Sequence, residues 1–510
     1  MIHVSRISAL SWAISATFAA IVALPSASAL ELDWSGQFRA ENHFIGGYIS
    51  DVAGSQPGGY GVKSGGESTA QFQTLFMRLR PKAVVNDNVF IKSEFWLGDP
   101  IFGMFGNAVP YSVDQRQFYS NQSRGSFISA QRYWGEFQTD LGLVQVGRMP
   151  LQYGLGVTWN AGDGLYDRYQ STGDTIRYLA KLGSLTFAPA IVKYSLGNSF
   201  AGACNVGAAA GPCVQQPGRG NAYDWSLMAK YEVLDEDLEL SVNLIRHIVD
   251  AAQDNTAYQV PGALPTGGQI RGGTATTTYD IFAKKKLGKL TLAAEVPVVS
   301  GDVAGIKRST VGFAVEVTYK ASNSFDALLK FGRAPGQQNF SGSTPDNFNA
   351  FYFNPNYRLG LIMFNYQMNN FAGPASLNNP NTSPTQLASP FDNPITNANY
   401  VALSTGISAD KWQFRPGFVL GVADQAAVNG SNFLNSNSRS YFTNASGKDQ
   451  GKFLGMEFDL GITYQMDEAF SFGIDTGIFL PGSYYKFSNS ANDNNTSTVF
   501  ANVLRVGVNF

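Results

Sequence analysis

Residues 32–44 read LDWSGQFRAENHF. Leu32, Trp34, Gly36, Phe38, Ala40 and Phe44 share one parity; Asp33, Ser35, Gln37, Arg39, Glu41 and His43 share the other. An extended chain turns successive side chains to opposite faces, so this segment is a strand with one apolar, aromatic face and one charged face. The pattern recurs in YDWSLMAKYEV (223–233), STVGFAVEVTYK (309–320) and FLGMEFDLGITYQM (453–466). Eighteen such segments can be traced, the first at 32–44 and the last at 498–510. The connections between them alternate in length. Eight are tight: NDN (86–88), DLG (140–142), LGS (182–184), DED (235–237), LGK (287–289), SNS (322–324), ADK (409–411) and DEA (467–469). Long ones lie between.

An apolar face turned to lipid and a polar face turned to a wet lumen, in segments of about ten residues with short turns on one rim and long loops on the other, describe a transmembrane antiparallel β-barrel of the bacterial outer membrane. Closure is required, because a sheet edge in hydrocarbon would leave backbone N–H and C=O groups unpaired. An even strand count places both termini on the periplasmic side. Composition agrees: only 15% of residues are charged, 13% are aromatic and 54 are glycine. Net charge is −2 and pI about 6.0, so no nucleic-acid partner is expected.

The ends fit an exported chain. Arg6 precedes an apolar run over 7–24, Pro25 breaks it, and Ala27-Ser28-Ala29 has the small-x-small pattern of a signal-peptidase site. The expected organisation is a signal peptide over 1–29 and an outer-membrane barrel over 30–510. The chain closes on VFANVLRVGVNF, with Leu504, Val506, Val508 and the terminal Phe510 on one parity. This resembles the C-terminal signal that outer-membrane barrels present to the barrel-assembly machinery. A soluble β-sandwich also alternates, but the leader, the turn-length pattern, the terminal aromatic and the aromatics toward strand ends together argue against it. Cys204 and Cys213 are the only cysteines and are expected to pair as a disulfide across a surface loop.

Eighteen strands enclose a lumen wide enough for water and solutes. The lumen parity carries Arg39, Glu41, Arg78, Arg80, Lys82, Lys92, Glu94, Arg132, Glu136 and Arg177, all expected to line the pore, with further acids at Glu239, Glu295, Glu316 and Asp475. Part of this set should pair across strands. The run RLRPK (78–82) is all basic and is the candidate for a patch open to the pore.

The third long connection contains NAGDGLYDRYQSTGD (160–174). Three readings stay open for it. Asp163, Asp167 and Asp174 form an acidic constriction that faces the basic wall and sets a transverse field; or Asn160, Asp163 and Asp167 contribute to a calcium site, although the spacing is not D-x-D-x-D-G; or the stretch is a surface loop built on Asx-turns. No cofactor is expected. FYFNPNYRLGLIMFNYQMNNF (351–371) is too apolar to hang in water. The expectation is that it packs on the loop crown; the alternative is that it folds inward. The stretch 99–128, with Phe102, Met104 and Phe105, poses the same choice.

GQFRAEN (36–42), RLRPKAVVNDNVFIKSEF (78–95) and GRMPLQYG (147–154) resemble segments of the eighteen-strand porins of the alginate-export type, and the stretch from 147 to 178 also resembles a segment of putative porins without assigned function. The likeness covers roughly 34–180 in motifs and the rest in layout. It implies passage of solutes through a static pore, in some members a polyanionic sugar chain; here inward acids are nearly as common as bases. The expected function is passive diffusion of small hydrophilic solutes, ions or saccharides across the outer membrane, with lipid as the surrounding partner. A binding or adhesin barrel acting through its long loops is the second reading. An outer-membrane hydrolase is the third: His43 and His247 are the only histidines beyond the leader, and no G-x-S-x-G or H-E-x-x-H motif accompanies them.

Overall fold

Each strand of the barrel wall pairs with the next wall strand in sequence, and the last pairs with the first. A computed structural model describes residues 31–47, 69–98, 100, 128–195, 222–249, 273–303, 305–342, 345–366, 391, 394–435, 440–487, 489, 493 and 496–510. The leader, Cys204 and Cys213, Phe102, Met104 and Phe105 lie outside the described residues.

The strands are β1 (Glu31–Gly46), β2 (Thr69–Asn86), β3 (Val89–Gly98), β4 (Ile128–Thr139), β5 (Gly142–Pro150), β6 (Thr172–Leu182), β7 (Leu185–Ser195), β8 (Ala222–Val233), β9 (Leu238–Val249), β10 (Thr274–Leu287) and β11 (Leu290–Val303). They continue as β12 (Ile306–Val311), β13 (Phe313–Lys320), β14 (Phe325–Ala334), β15 (Asn347–Phe348), β16 (Ala398–Ala409), β17 (Trp412–Ala423), β18 (Asn432–Asn435), β19 (Ser440–Thr443), β20 (Phe453–Gln465), β21 (Phe470–Pro481) and β22 (Val499–Asn509). β12 and β13 both pair with β11 and form one stave broken at Gly312. β15 and the β18–β19 hairpin belong to the outer loops. The remaining staves make an antiparallel barrel of eighteen strands, closed where β22 pairs with β1.

All eight tight turns fall where the sequence places them. Asp237 and Asp410 take left-handed backbone there, with φ of 49° and 53°, a conformation that short polar side chains tolerate. At the other rim several strands run past the alternating segments of the sequence, 277–286 and 289–298 for two of them: β10 starts at Thr274 and β11 continues to Val303. The short loop strands β15, β18 and β19 carry no long alternation and were not legible.

The two faces separate as the parity requires. Trp34, Trp225 and Leu504 are 59%, 53% and 52% exposed on the outside, whereas Arg39 and Glu41 inside are 1% and 2% exposed. The largest apolar cluster lies within the barrel. Wall residues Ile45, Val299, Ala314, Val419, Phe479 and Val503 pack there against Phe353, Ile362, Met363, Phe364, Tyr366 and Phe391 of an inward-folded connection.

At the closing seam Gly36 N–H donates to the Phe510 carbonyl at 2.7 Å, and Phe510 N–H donates to the Gly36 carbonyl at 3.0 Å. A Cβ at Gly36 would lie 2.5 Å from the Phe510 ring and 2.6 Å from the Arg78 carbonyl oxygen. Glycine is therefore the residue that lets the first and last strands meet under the terminal aromatic. Gly36→Val is expected to lower the yield of folded barrel and to cost about 2 kcal/mol or more through overpacking at the seam, read from heat-modifiable mobility on gels and from the urea midpoint.

Candidate functional site

The β5–β6 connection, residues 151–171, does not stay at the surface. Its base is a short antiparallel pairing: Leu151 N–H donates to Ser171 O at 2.9 Å, and Ser171 N–H to Asn160 O at 2.7 Å. Asn160 Oδ1 accepts from Gly162 N–H at 2.9 Å, and Asp167 Oδ2 from Gly164 N–H at 2.8 Å. The first is an Asx-turn, and in the second Asp167 closes a bend with Gly164, whose carbonyl also accepts from Asp167 N–H; both let a polar segment turn without a neighbouring strand. Gly162 has φ +70°, and a Cβ there would overlap the Tyr169 carbonyl oxygen.

The basic wall then takes the loop by its carbonyls. Arg39 donates to Leu165 O and Asp167 O, both at 2.7 Å; Arg78 donates to Gly162 O at 2.8 Å; Arg132 donates to Ala161 O. Asp163 Oδ1 receives Arg80 at 2.6 Å and Arg132 at 2.7 Å. Glu94 holds the same bases from the wall side, at 3.5 Å from Arg78, 2.9 Å from Arg80 and 3.1 Å from Arg132. From the loop, Arg168 reaches back to Glu41 at 3.0 Å, and Arg505 meets the same carboxylate at 3.2 Å. Charge-assisted bonds of this kind contribute about 1.5–3 kcal/mol each. The loop tip goes deep: a Cβ at Gly507, near the end of β22, would lie 2.6 Å from Leu165 and 2.9 Å from the Tyr166 hydroxyl.

The opposite wall takes the loop by its N–H groups. Glu295 accepts from Leu155 at 2.5 Å, Val157 at 3.2 Å and Thr158 at 3.2 Å. The Thr158 hydroxyl donates to the neighbouring Asp280, and Tyr153 OH donates to Asp280 O at 2.8 Å. The loop thus bridges the lumen from β1–β4 to β10–β11.

A second connection folds in beside it. Leu361 N–H donates to Asp459 at 3.1 Å; Ile362 and Met363 donate to Glu457 at 2.7 and 2.5 Å. These carboxylates stand in the middle of β20. The two loops also hold each other: Asn354 N–H donates to Val157 O at 2.8 Å, the Asn356 side chain to Tyr169 O at 2.6 Å, and Arg358 to Tyr166 O at 3.1 Å. Tyr352, at the start of 351–371, packs on the outer-loop residues Phe348, Leu434 and Tyr441, but the described remainder, Phe353 through Tyr366, folds inward and does not pack on the crown. Its apolar side chains meet the apolar wall residues Ile45, Val299, Ala314, Val419, Phe479 and Val503 there.

The pore-lining expectation needs three corrections. Arg39, Arg78 and Arg132 are fully buried and clamp the loop, so RLRPK is not an open basic patch; of that run only Arg80 and Lys82 keep solvent contact, at 29% and 37% of the side chain. Asp163 touches the basic wall directly and does not face it across a gap. Asp174 lies on the outer face, paired with Arg148 at 2.7 Å, because β6 begins at Thr172 and Asp174 falls on its outward parity. Elsewhere Lys92 pairs with Glu136 at 2.9 Å, and Arg177 donates to Gln145 at 2.8 Å. The calcium reading does not fit: the Asn160, Asp163 and Asp167 oxygens are engaged by separate donors, and among the described residues no three His, Cys, Asp or Glu converge. His43 is fully buried with Nδ1 2.7 Å from Tyr366 OH, while His247 Nδ1 lies 2.6 Å from Asp224. The two histidines have separate partners. Sequence reading missed the roles of Arg168, Asp280 and Glu457. Glu295 and Glu457 stand on inward parity with no base beside them in register, and that was their available signal.

Below Gly154 and Leu155 lies a cavity of about 490 Å³ lined by Glu232, Glu239, Phe282, Lys284, Thr291 and Glu316 near the tight-turn rim. Asp163, half-exposed, looks toward the same end. Burial opposes its ionisation, but the hydrogen bond from Arg132 and the charges of Arg132, Arg80 and Arg78 outweigh burial and hold its carboxyl below the usual aspartate range.

No family model and no curated protein matches the chain. Among solved structures it is similar to the outer membrane protein OprD of Pseudomonas aeruginosa (11% identity, TM-score 0.46, 95% of this chain and 96% of that one). It is also similar to the outer membrane protein OpdK of the same organism (10%, 0.45, 94% and 99%) and to OmpT of Vibrio cholerae (9%, 0.37, 96% and 99%). The closed barrel, its apolar outer belt and its short-turn and long-loop rims themselves place the protein in the bacterial outer membrane.

A depressed folded-state pKa contributes stability that is complete above the unfolded value and is lost as pH falls through the folded value. The melting temperature of Asp163→Asn is therefore expected below that of the wild type by a constant margin from pH 8 to about 5, with the margin closing only below about pH 4. Calorimetry over that range checks it.

Proposed function

We propose that the protein is a channel for small hydrophilic solutes, narrowed by loop 151–171. The observation that carries this reading is the contact of Asp163 with Arg80 and Arg132. It sets a charged, half-exposed point on a loop that crosses the lumen above an open cavity. A solute at that depth meets hydroxyls and both signs of charge: Thr291, Glu232, Glu239 and Lys284 on one side, Arg80, Asp163 and Lys82 on the other. Such a lining suits neutral, hydroxyl-rich molecules, saccharides among them, and small ions; it lacks the one-sided positive field that a polyanion needs. Ion selectivity is set by the balance between Asp163 and the arginines that hold it.

Single-channel recording in a planar bilayer tests this. The wild type is expected to conduct, and removal of the loop tip, residues 163–167, to raise conductance severalfold. Asp163→Asn leaves Arg80 and Arg132 under-neutralised and should shift the reversal potential in a salt gradient toward anions. No current from well-folded protein, with or without the tip, would overturn the channel and favour binding through the outer loops. An unchanged reversal potential would remove Asp163 from the selectivity point.

A further inference from the structure

The outside of the barrel carries a charge pattern that the lumen does not use. Arg148 on β5, Asp174 on β6, Lys193 on β7 and Tyr223 on β8 are successive cross-strand partners. The next partner, Ile248 on β9, is two residues from Arg246, which itself stands opposite Trp225. All share the outward parity: their same-face neighbours Val146, Ile176, Ile191 and Trp225 are exposed apolar residues. Each lies within four residues of the long-loop end of its strand. This height is the outer lipid–water boundary, and Tyr133, Trp225 and Tyr223 supply the aromatics typical of it.

The charges in this row do not cancel. Asp174 binds Arg148 at 2.7 and 3.1 Å. Lys193 and Arg246 remain, and among the described residues Arg246 meets the Thr277 hydroxyl, at 2.9 Å, and the Ala275 carbonyl. Of the other cations on the described outer rim, Arg333 pairs with Asp424 at 2.9 Å, and Lys307 stands opposite Asp302 in register. Among the described outward residues, an excess of two positive charges over five adjacent strands, held at headgroup height above an apolar belt, is complementary to one class of molecule. That molecule has an acyl body lying along the belt and phosphates at the boundary.

We propose that the β5–β9 face binds a phosphorylated glycolipid of the outer leaflet, with Arg148, Lys193 and Arg246 receiving its phosphates. Cations near an anionic lipid surface act additively and are screened by salt. Asp174 then moderates the site by offsetting the charge of Arg148. The proposal rests on the barrel's orientation and not on conduction.

The test titrates the purified full chain in neutral detergent with bisphosphorylated lipid A and, separately, with the same lipid dephosphorylated, followed by native mass spectrometry. The wild type should retain the bisphosphorylated form and bind the dephosphorylated form at least tenfold more weakly. Arg148→Ala, Lys193→Ala and Arg246→Ala together should remove that preference. Asp174→Asn should strengthen it, and the preference should fall as salt rises. Millimolar inorganic phosphate should not compete, because it lacks the acyl body. Equal binding of the two lipids, or an unaltered preference in the triple variant, would overturn the proposal. So would a change in oligomeric mass without a change in lipid retention, which would make the face a contact between copies of this chain. Heat-modifiable mobility checks folding; should the triple variant not fold, absence of any gain in Asp174→Asn overturns the proposal by itself.

Discussion

Hydrocarbon offers no partner to a backbone N–H or C=O, and the architecture follows from that. The first and last strands must find each other, so the seam between β1 and β22 is as necessary as any hairpin. It needs Gly36 where the Phe510 ring crosses it. Once the barrel closes, each strand has one face in lipid, and along the apolar belt the charges that alternate with the apolar residues can go only inward; outward charges stand at the rim.

The same requirement then acts a second time, on the loops. A connection that leaves the rim and enters the lumen loses water for its own backbone, and no strand is at hand to replace it. The wall supplies side chains instead. Arginines on β1, β2 and β4 take carbonyls; Glu295 and Glu457 take groups of adjacent N–H donors. This division explains why inward charges of both signs are so numerous in a chain with few charges overall. Breaking a buried pair of this type costs about 3–5 kcal/mol, since it strands a charge. The loops are therefore fixed parts of the interior.

The barrel was legible because its signal is repeated. Alternation in LDWSGQFRAENHF and its counterparts, with eight tight turns between them, is local information counted many times over. The inward membership of Arg39, Arg78, Arg132 and Glu94 came from the same parity. Their partners did not. Glu41 and Arg168 are 127 positions apart, and Val157 and Glu295 are 138 apart. No periodicity links such positions, and composition could not tell a clamp from a pore lining. Asp174 shows the limit of reading a motif by its letters: it sits in the same short stretch as Asp163, yet one residue of strand parity sends it to lipid-side Arg148.

By itself the sequence determined the strand count, the placement of the turns, the outward and inward faces, and the sign of the charges on each, because a two-residue period within a strand fixes which way every side chain points. Only the tertiary structure decided that loop 151–171 and the segment through Tyr366 enter the barrel, and which wall residues receive them. That choice depends on backbone groups finding partners across the lumen, and a contact between distant segments leaves no trace in the local pattern of either one.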